Sequence, residues 1–323
     1  MSMNSTGGEV DMQFRAVFYC FSSFGSVAIL TNIILIAVVC TNRVLRQKMI
    51  LYMFLALADL VNGIAYLTDG IMQLNDYFDY HQLDDITVWD CMTTKPWPVL
   101  YFIGGQVPVV TNLLLASELI IASCYPTLYR AHWRYRNKVI MGFTSWIIGA
   151  FLIALAYVCA KLYKDHLATP LCTSYEAAGK RYGIFHFTLL ASIYVISTTL
   201  VGQVFRITCR AKTLNSAEIR RQRLLLIINV TSLLFIAVPT FFILIEIWTN
   251  SESSALMGGL VYCLYALSST LNLPVFVIFR PDFRRHLLAL ITCNRFKKAE
   301  ITQTNSSKQK VSPATNLTKK SGE

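Results

Sequence analysis

The chain reads as an all-α membrane protein, a bundle of seven transmembrane helices with the N-terminus outside and a short amphipathic helix after the seventh span. Three observations predict this. Hydrophobic residues make up 54% of the 323 residues and charged ones 15%, with positive mean hydropathy, a balance beyond that of an ordinary soluble domain. Apolar runs long enough to cross a hydrocarbon core, about 20 residues at the helical rise, recur seven times. The net charge of +11 gathers in short loops between those runs and in the tail, which is a signature of topology and not a nucleic-acid-binding face.

Residues 1–16 form a polar N-terminal tail, extracellular in this topology, with Asn4-Ser5-Thr6 as an N-glycosylation acceptor. The first apolar run, 17–40, is too long for a signal peptide and has no basic leader, so it is expected as a retained helix. The second, 49–72, contains Leu55-Ala56-Leu57-Ala58-Asp59. An acid at that depth is costly unless it faces the bundle interior, and such residues are functional by default. The third, 96–125, carries no charge but Glu118. Its mildly polar Tyr101, Gln106, Thr111 and Asn112 would sit badly against lipid, so this helix is expected at the centre. The fourth, 139–160, contains Trp146; the fifth is 182–205; Pro239 breaks the sixth, 224–248, and Pro274 the seventh, 258–279. Within 280–296, Phe283, Leu287 and Leu290 repeat at helical spacing while Arg284 and Arg285 can face phosphate headgroups, which predicts a membrane-surface helix. Cys293 beyond it is a palmitoylation candidate or an unmodified thiol. Residues 297–323, rich in Lys, Ser, Thr and Asn, are expected to be a disordered cytoplasmic tail.

Loop charge sets the orientation. Arg43, Arg46 and Lys48, then Arg130, Arg134, Arg136 and Lys138, then Arg206 to Arg223 fall in one set of loops, which the positive-inside rule makes cytoplasmic. The opposite set holds Asp76, Asp79, Asp84, Asp85, Asp90 and Glu252, with a mixed loop from Lys161 to Arg181. Only Cys91 and Cys172 fall in the outer loops, where oxidation is possible, and a bridge between them would tie the start of the third helix to the second outer loop. Cys20, Cys40, Cys124, Cys159, Cys209 and Cys263 are expected to be small apolar packing residues. Enzymatic chemistry has no support: no paired nucleophile and base, no clustered metal ligands, no nucleotide-binding loop and no sign of a cofactor.

From the first helix to the tail helix the residues are similar to a rhodopsin-family G-protein-coupled receptor. Asn32 stands at the family's helix-one Asn, and Leu55-Ala56-Leu57-Ala58-Asp59 matches its helix-two pattern. Glu118-Leu119-Ile120 occupies the Asp/Glu-Arg-Tyr triplet, with Pro126 and Tyr129 at the usual offsets; Trp146, Pro239, Pro274 and Phe283 also match. The degraded triplet, the short loops and Phe279-Arg280-Pro281-Asp282-Phe283-Arg284 resemble the nematode chemosensory receptor groups. The resemblance implies an extracellular small-molecule or peptide ligand, a heterotrimeric G protein at the inner face, and a multi-pass place in the plasma membrane, in sensory cilia for a chemosensory member. Its conformational switch residues would be Asn32, Asp59, Glu118, Trp146, Pro239, Asn272 and Pro274, with Arg134, Arg220, Arg221 and Arg223 meeting the G protein.

The departures bear on mechanism. The triplet arginine is Leu119, the helix-six Trp is Ala237, and Asn-Pro-x-x-Tyr becomes Leu273-Pro274-Val275-Phe276-Val277 with Asn272 one residue away. Cys91 lies further from the triplet than is usual. Tyr101 replaces the acid by which amine receptors hold their ligand, and the seventh helix has no lysine for a retinal Schiff base. With Pro108 and Leu273 where the family has Ser and Asn, a full sodium site is not expected. Asp69, Trp97, Tyr101, Gln106, Glu246, Trp248, Tyr262 and Tyr265 are the ligand-site candidates, aromatic walls with a few polar groups. Tyr and Trp near helix ends also serve as interfacial anchors. A seven-helix channel or transporter is the competing class, though no internal repeat is present. A receptor-like protein that binds partners without signalling is the third reading.

Overall fold

A computed structural model describes residues 5–78, 86–169, 171–211, 216–249 and 255–292, and within these each apolar run is a helix long and apolar enough to cross a membrane. In chain order the elements are α1 (Ser5–Thr41), α2 (Arg43–Phe78), β1 (Ile86–Thr87), α3 (Val88–Thr94), α4 (Trp97–Cys124), α5 (Pro126–His132), α6 (Tyr135–Leu162), β2 (Leu167–Ala168), α7 (Lys180–Ala211), α8 (Ser216–Ser232), α9 (Val238–Thr249), α10 (Ala255–Thr270), α11 (Asn272–Phe279) and α12 (Pro281–Ile291). The spans are α1, α2, α4, α6, α7, then α8 continuing into α9, and α10 into α11. This is a multi-pass, all-α membrane protein whose surroundings are a lipid bilayer.

The helices overrun the apolar runs. α1 starts at Ser5, inside the stretch expected as a polar tail, and α2 covers 43–78 where hydropathy marks 49–72. Hydropathy senses only the part that needs oil around it, whereas helical hydrogen bonding continues into water as long as nothing breaks it. Asn4, Asp79, Asp84, Asp85, Lys212, Glu252, Cys293 and the tail 297–323 lie outside the described residues.

The loop after α2 and the loop after α6 are joined to each other. β1 pairs antiparallel with β2, Ile86 opposite Ala168 and Thr87 opposite Leu167. Thr87 then caps α3, its hydroxyl oxygen accepting from the Asp90 amide at 3.1 Å. At the other end, Pro126 opens α5, because a residue before proline is steered out of the helical region and Pro is well placed at a first helical position.

The third span was expected at the centre, yet α2 is the more enclosed: 67% of its apolar window is buried against 56% for α4 and 28% for α6. Small residues explain it. Gly25 and Gly63 let α1 and α2 approach closely, and Gly104 of α4 lies against α2, where an added Cβ would come 2.7 Å from the Asn62 Cα. Gly104→Leu should therefore push the helices apart and abolish folded, detergent-stable protein, read as loss of the monodisperse peak in size-exclusion chromatography. α6 sits at the periphery, presenting Phe143, Ile147, Phe151 and Val158 outward, which suits lipid and not water. Cys20, Cys40, Cys124 and Cys209 are likewise exposed on the outside, so the expected packing role holds only for buried Cys263 and half-buried Cys159.

Both proline breaks lie just before the proline. Leu233–Ala237 is a π-helical turn, closed by the Val238 amide bonding back to the Leu233 carbonyl. Pro239 lacks an N–H and its ring crowds the carbonyl four residues earlier, and a widened turn relieves that clash. In the seventh span the ladder lapses at Leu271, between α10 and α11, since Pro274 leaves the Thr270 carbonyl without its partner. α12 packs through buried Phe283 against Phe276, ring centroids 5.7 Å apart, and leaves Arg284 and Arg285 exposed. Leu290 is exposed with Leu288 and Ile291, an apolar edge that suits the membrane surface.

Candidate functional site

At one end of the bundle, Cys91 of α3 and Cys172 are bonded, with Cα atoms 5.6 Å apart and both sulfurs fully buried. The cystine presses the loop after β2 onto the helix bundle. Trp97, at the start of α4, is wholly buried and donates from Nε1 to the carbonyls of Leu171 and Cys172, each at 3.3 Å. Trp97 therefore fastens that loop and does not line the chamber below it.

Below the loop lies a small cavity of about 30 Å³, room for roughly two waters. Tyr101, Tyr262 and Tyr265 of the ligand-site candidates line it, joined by Asn62, Tyr66, Ser174, His186 and Tyr194. Ser174 shares a 2.8 Å hydrogen bond with the Tyr262 hydroxyl, which closes the roof. The Tyr101 hydroxyl donates to Asp69 Oδ2 at 2.6 Å. Thus an acid does stand beside the Tyr101 position, supplied by the second helix. Gln106, with no exposed surface, donates to the Tyr182 hydroxyl at 2.8 Å and lies 3.1 Å from His186 Nδ1. Trp248 is 80% exposed on the outside of the sixth span and takes no part, its ring pointing away because α9 turns that face outward. The Glu246 side chain lies outside the described residues.

Midway, Asp59 organises a polar knot. Asn272 Nδ2 donates to Asp59 Oδ2 at 2.6 Å, and Ser269 Oγ donates to Oδ1 at 3.2 Å. Asn62 Nδ2 donates to that Ser269 Oγ at 2.9 Å, and Asn32 Nδ2 to the Ser269 carbonyl at 3.0 Å. Three of the residues named from sequence, Asn32, Asp59 and Asn272, thus meet, Asn272 on Asp59 directly and Asn32 through Ser269, a serine that the sequence did not single out. They bind the first, second and seventh spans together where the seventh ladder lapses. Trp146 packs at the edge of the inner apolar cluster with its Nε1 unpartnered, and Pro239 is buried while Pro274 is exposed.

At the basic end, Glu118 Oε1 collects three donors at 2.7 Å each: Lys138 Nζ, Arg221 Nη2 and the Tyr129 hydroxyl. Glu118 is 3% exposed. Lys138 and Arg221 come from loops by hydropathy, yet they turn inward from α6 and α8 and join three spans. Arg221, expected to meet a partner, is consumed in this latch; Arg134, Arg220 and Arg223 are exposed. Leu119 is 1% exposed inside the inner apolar cluster. Beside the latch a cleft of about 470 Å³ opens, lined by Lys48, Tyr129, Lys138, Arg220, Arg280 and Arg285 among others. Among the described residues no group of three or more His, Cys, Asp or Glu is placed to hold a metal ion.

Compared with protein-family models and with curated protein sequences, the chain matches none.

Proposed function

We propose that this membrane protein is a chemosensory G-protein-coupled receptor of the plasma membrane, which takes a small ligand at the cystine end and engages a heterotrimeric G protein at the basic end. The observation that carries this reading is the latch: a buried carboxylate on the third span holds Arg221 of the sixth, the span that also contains a π-helical turn and Pro239 midway. Such a span has two arrangements within reach, one with Arg221 on Glu118 and one released. The chamber beneath the disulfide loop reaches the same span, since Ile236 lines it and Thr240 is hydrogen-bonded to Tyr265. Ligand at one end and latch at the other therefore act on one helix. The expected activation moves the inner half of the sixth span outward, enlarging the basic cleft for a partner with an acidic face.

The test is G-protein activation in a heterologous cell carrying a tagged receptor at its surface, with Arg220 and Arg223 neutralised together as the control. Activation that survives in the parent and drops at least about tenfold in the double variant, at equal surface level, supports the reading. A chain that reaches the surface and raises guanine-nucleotide exchange on no G-protein class, under any odorant mixture, rejects it. The N-terminal tag read from outside intact cells checks the topology in the same experiment.

A further inference from the structure

Three acids are buried among the described residues, and they differ in what faces them. Glu118 has two cations and a hydroxyl, and Asp59 has an amide and a hydroxyl. On Asp69, Oδ2 accepts from the Tyr101 hydroxyl and the Gln73 side-chain amide also faces the carboxylate, while Oδ1 is buried without a well-formed hydrogen bond. No cation pairs with it among the described residues. Charged, a carboxyl group so placed is costly until positive charge arrives beside it; without one it is better off holding its proton.

Next to that carboxylate, joined to it through the Tyr101 hydroxyl, is a cluster of tyrosines that lines the cavity, with Asp69 itself standing behind the wall. The Tyr101 ring stands edge-on to Tyr66, centroids 4.8 Å apart, and 5.9 Å from Tyr262, which in turn lies 5.8 Å from Tyr265. Tyr66, Tyr101, Tyr262 and Tyr265 all line the cavity. Tyrosine rings lining a cavity beside a buried acid can attract an organic ammonium ion, by cation–π contact together with charge. We infer that the ligand class of this chamber is a small organic ammonium, primary or quaternary, with Asp69 as its counter-ion and Tyr66, Tyr101 and Tyr262 as its cage. This deepens the receptor reading and rests on it for its biological meaning.

The cavity as it stands, about 30 Å³, is too small for such a guest. Admission needs the Tyr101 hydroxyl to leave Asp69 and the Ser174–Tyr262 hydrogen bond to open. Tyr101, Ser174 and Tyr262 line the cavity together with Ile236 of the sixth span, so an ammonium would select an expanded arrangement.

The experiment uses the full chain in lipid nanodiscs, without G protein, and follows thermal unfolding. Tetramethylammonium and phenethylammonium are the probes; sodium at matched ionic strength and 2-phenylethanol, a neutral analogue of the second, are the controls. At about ten times its dissociation constant each ammonium should raise the midpoint by about 3 °C, with neither control doing so. Asp69→Asn should abolish the response, and Tyr101→Phe, which removes only the competing hydroxyl, should preserve or strengthen it. Should Asp69→Asn fail to fold, Tyr262→Leu removes one cage wall and is expected to weaken tetramethylammonium about fivefold. The inference is overturned by equal shifts from sodium or the alcohol, by no shift in the parent chain, or by an Asp69→Asn protein that still responds. Since binding is read without signalling, a chain that binds ammonium but never activates a G protein loses only the receptor reading, and the converse result loses only this one.

Discussion

Alanine in place of Glu118 is expected to destabilise the bundle by about 3–5 kcal/mol and, under the proposed receptor function, to raise basal G-protein activation several-fold. The carboxylate is almost fully enclosed, and both cations on it are largely buried, with side-chain exposures of 11% for Lys138 and 20% for Arg221. Removing it leaves two like charges facing each other without a counter-ion, which is the expensive way to break a buried pair. Removing one cation is milder, because the other still holds the same oxygen: Arg221→Ala should cost about 1–3 kcal/mol. Arg221→Ala should nevertheless raise basal activity as much as the Glu118 variant, since it cuts the tie to the sixth span directly. Lys138→Ala should not, because the tie to the sixth span survives. Unfolding midpoints in detergent and basal nucleotide exchange in membranes separate these outcomes. If Glu118→Ala were as stable as Arg221→Ala, the three-donor latch would not exist as described.

Serine at Cys172 is the second large effect. The bond closes a segment of 81 residues, so on the chain-entropy account its loss costs about 4–5 kcal/mol. Cys172 also holds a left-handed backbone conformation, φ 48°, and with the bond gone nothing obliges it to stay there. The loop it carries roofs the chamber through Ser174 and receives the Trp97 indole, so both should loosen together. Expected results are a strong drop in surface expression, a lower unfolding midpoint, and loss of any ligand response before loss of basal activity. Cys91→Ser should do the same, and the double variant no more than either alone. A double variant distinctly worse than the singles would mean the two cysteines act separately.

Much of the fold was legible from hydropathy, because a hydrocarbon solvent imposes one length and one backbone solution on every span. The site was legible in part. Asp69, Tyr101, Gln106, Tyr262 and Tyr265 come together, as do Asn32, Asp59 and Asn272. Tyr66 and Asn62 were missed although the signal was present: Asp59, Asn62, Tyr66, Asp69 and Gln73 recur at helical spacing and form one buried polar stripe down α2. Trp97 and Trp248 were overread, since an indole near a helix end fits a loop fastener or an interfacial anchor as well as a ligand wall. The latch was hidden for a different reason. Lys138 and Arg221 read as loop charges, and nothing local to either says that α6 and α8 begin early enough to point them at Glu118.

The surplus residue in the turn Leu233–Ala237 gives the sixth span a way of moving that a proline kink alone does not. If that turn tightened to regular geometry, the portion running down to Arg221 would swivel by about 100° and advance by about 1.5 Å against the portion above it. Such a rotation would carry the guanidinium off Glu118 with almost no sideways travel, so the span would work as a screw as well as a lever.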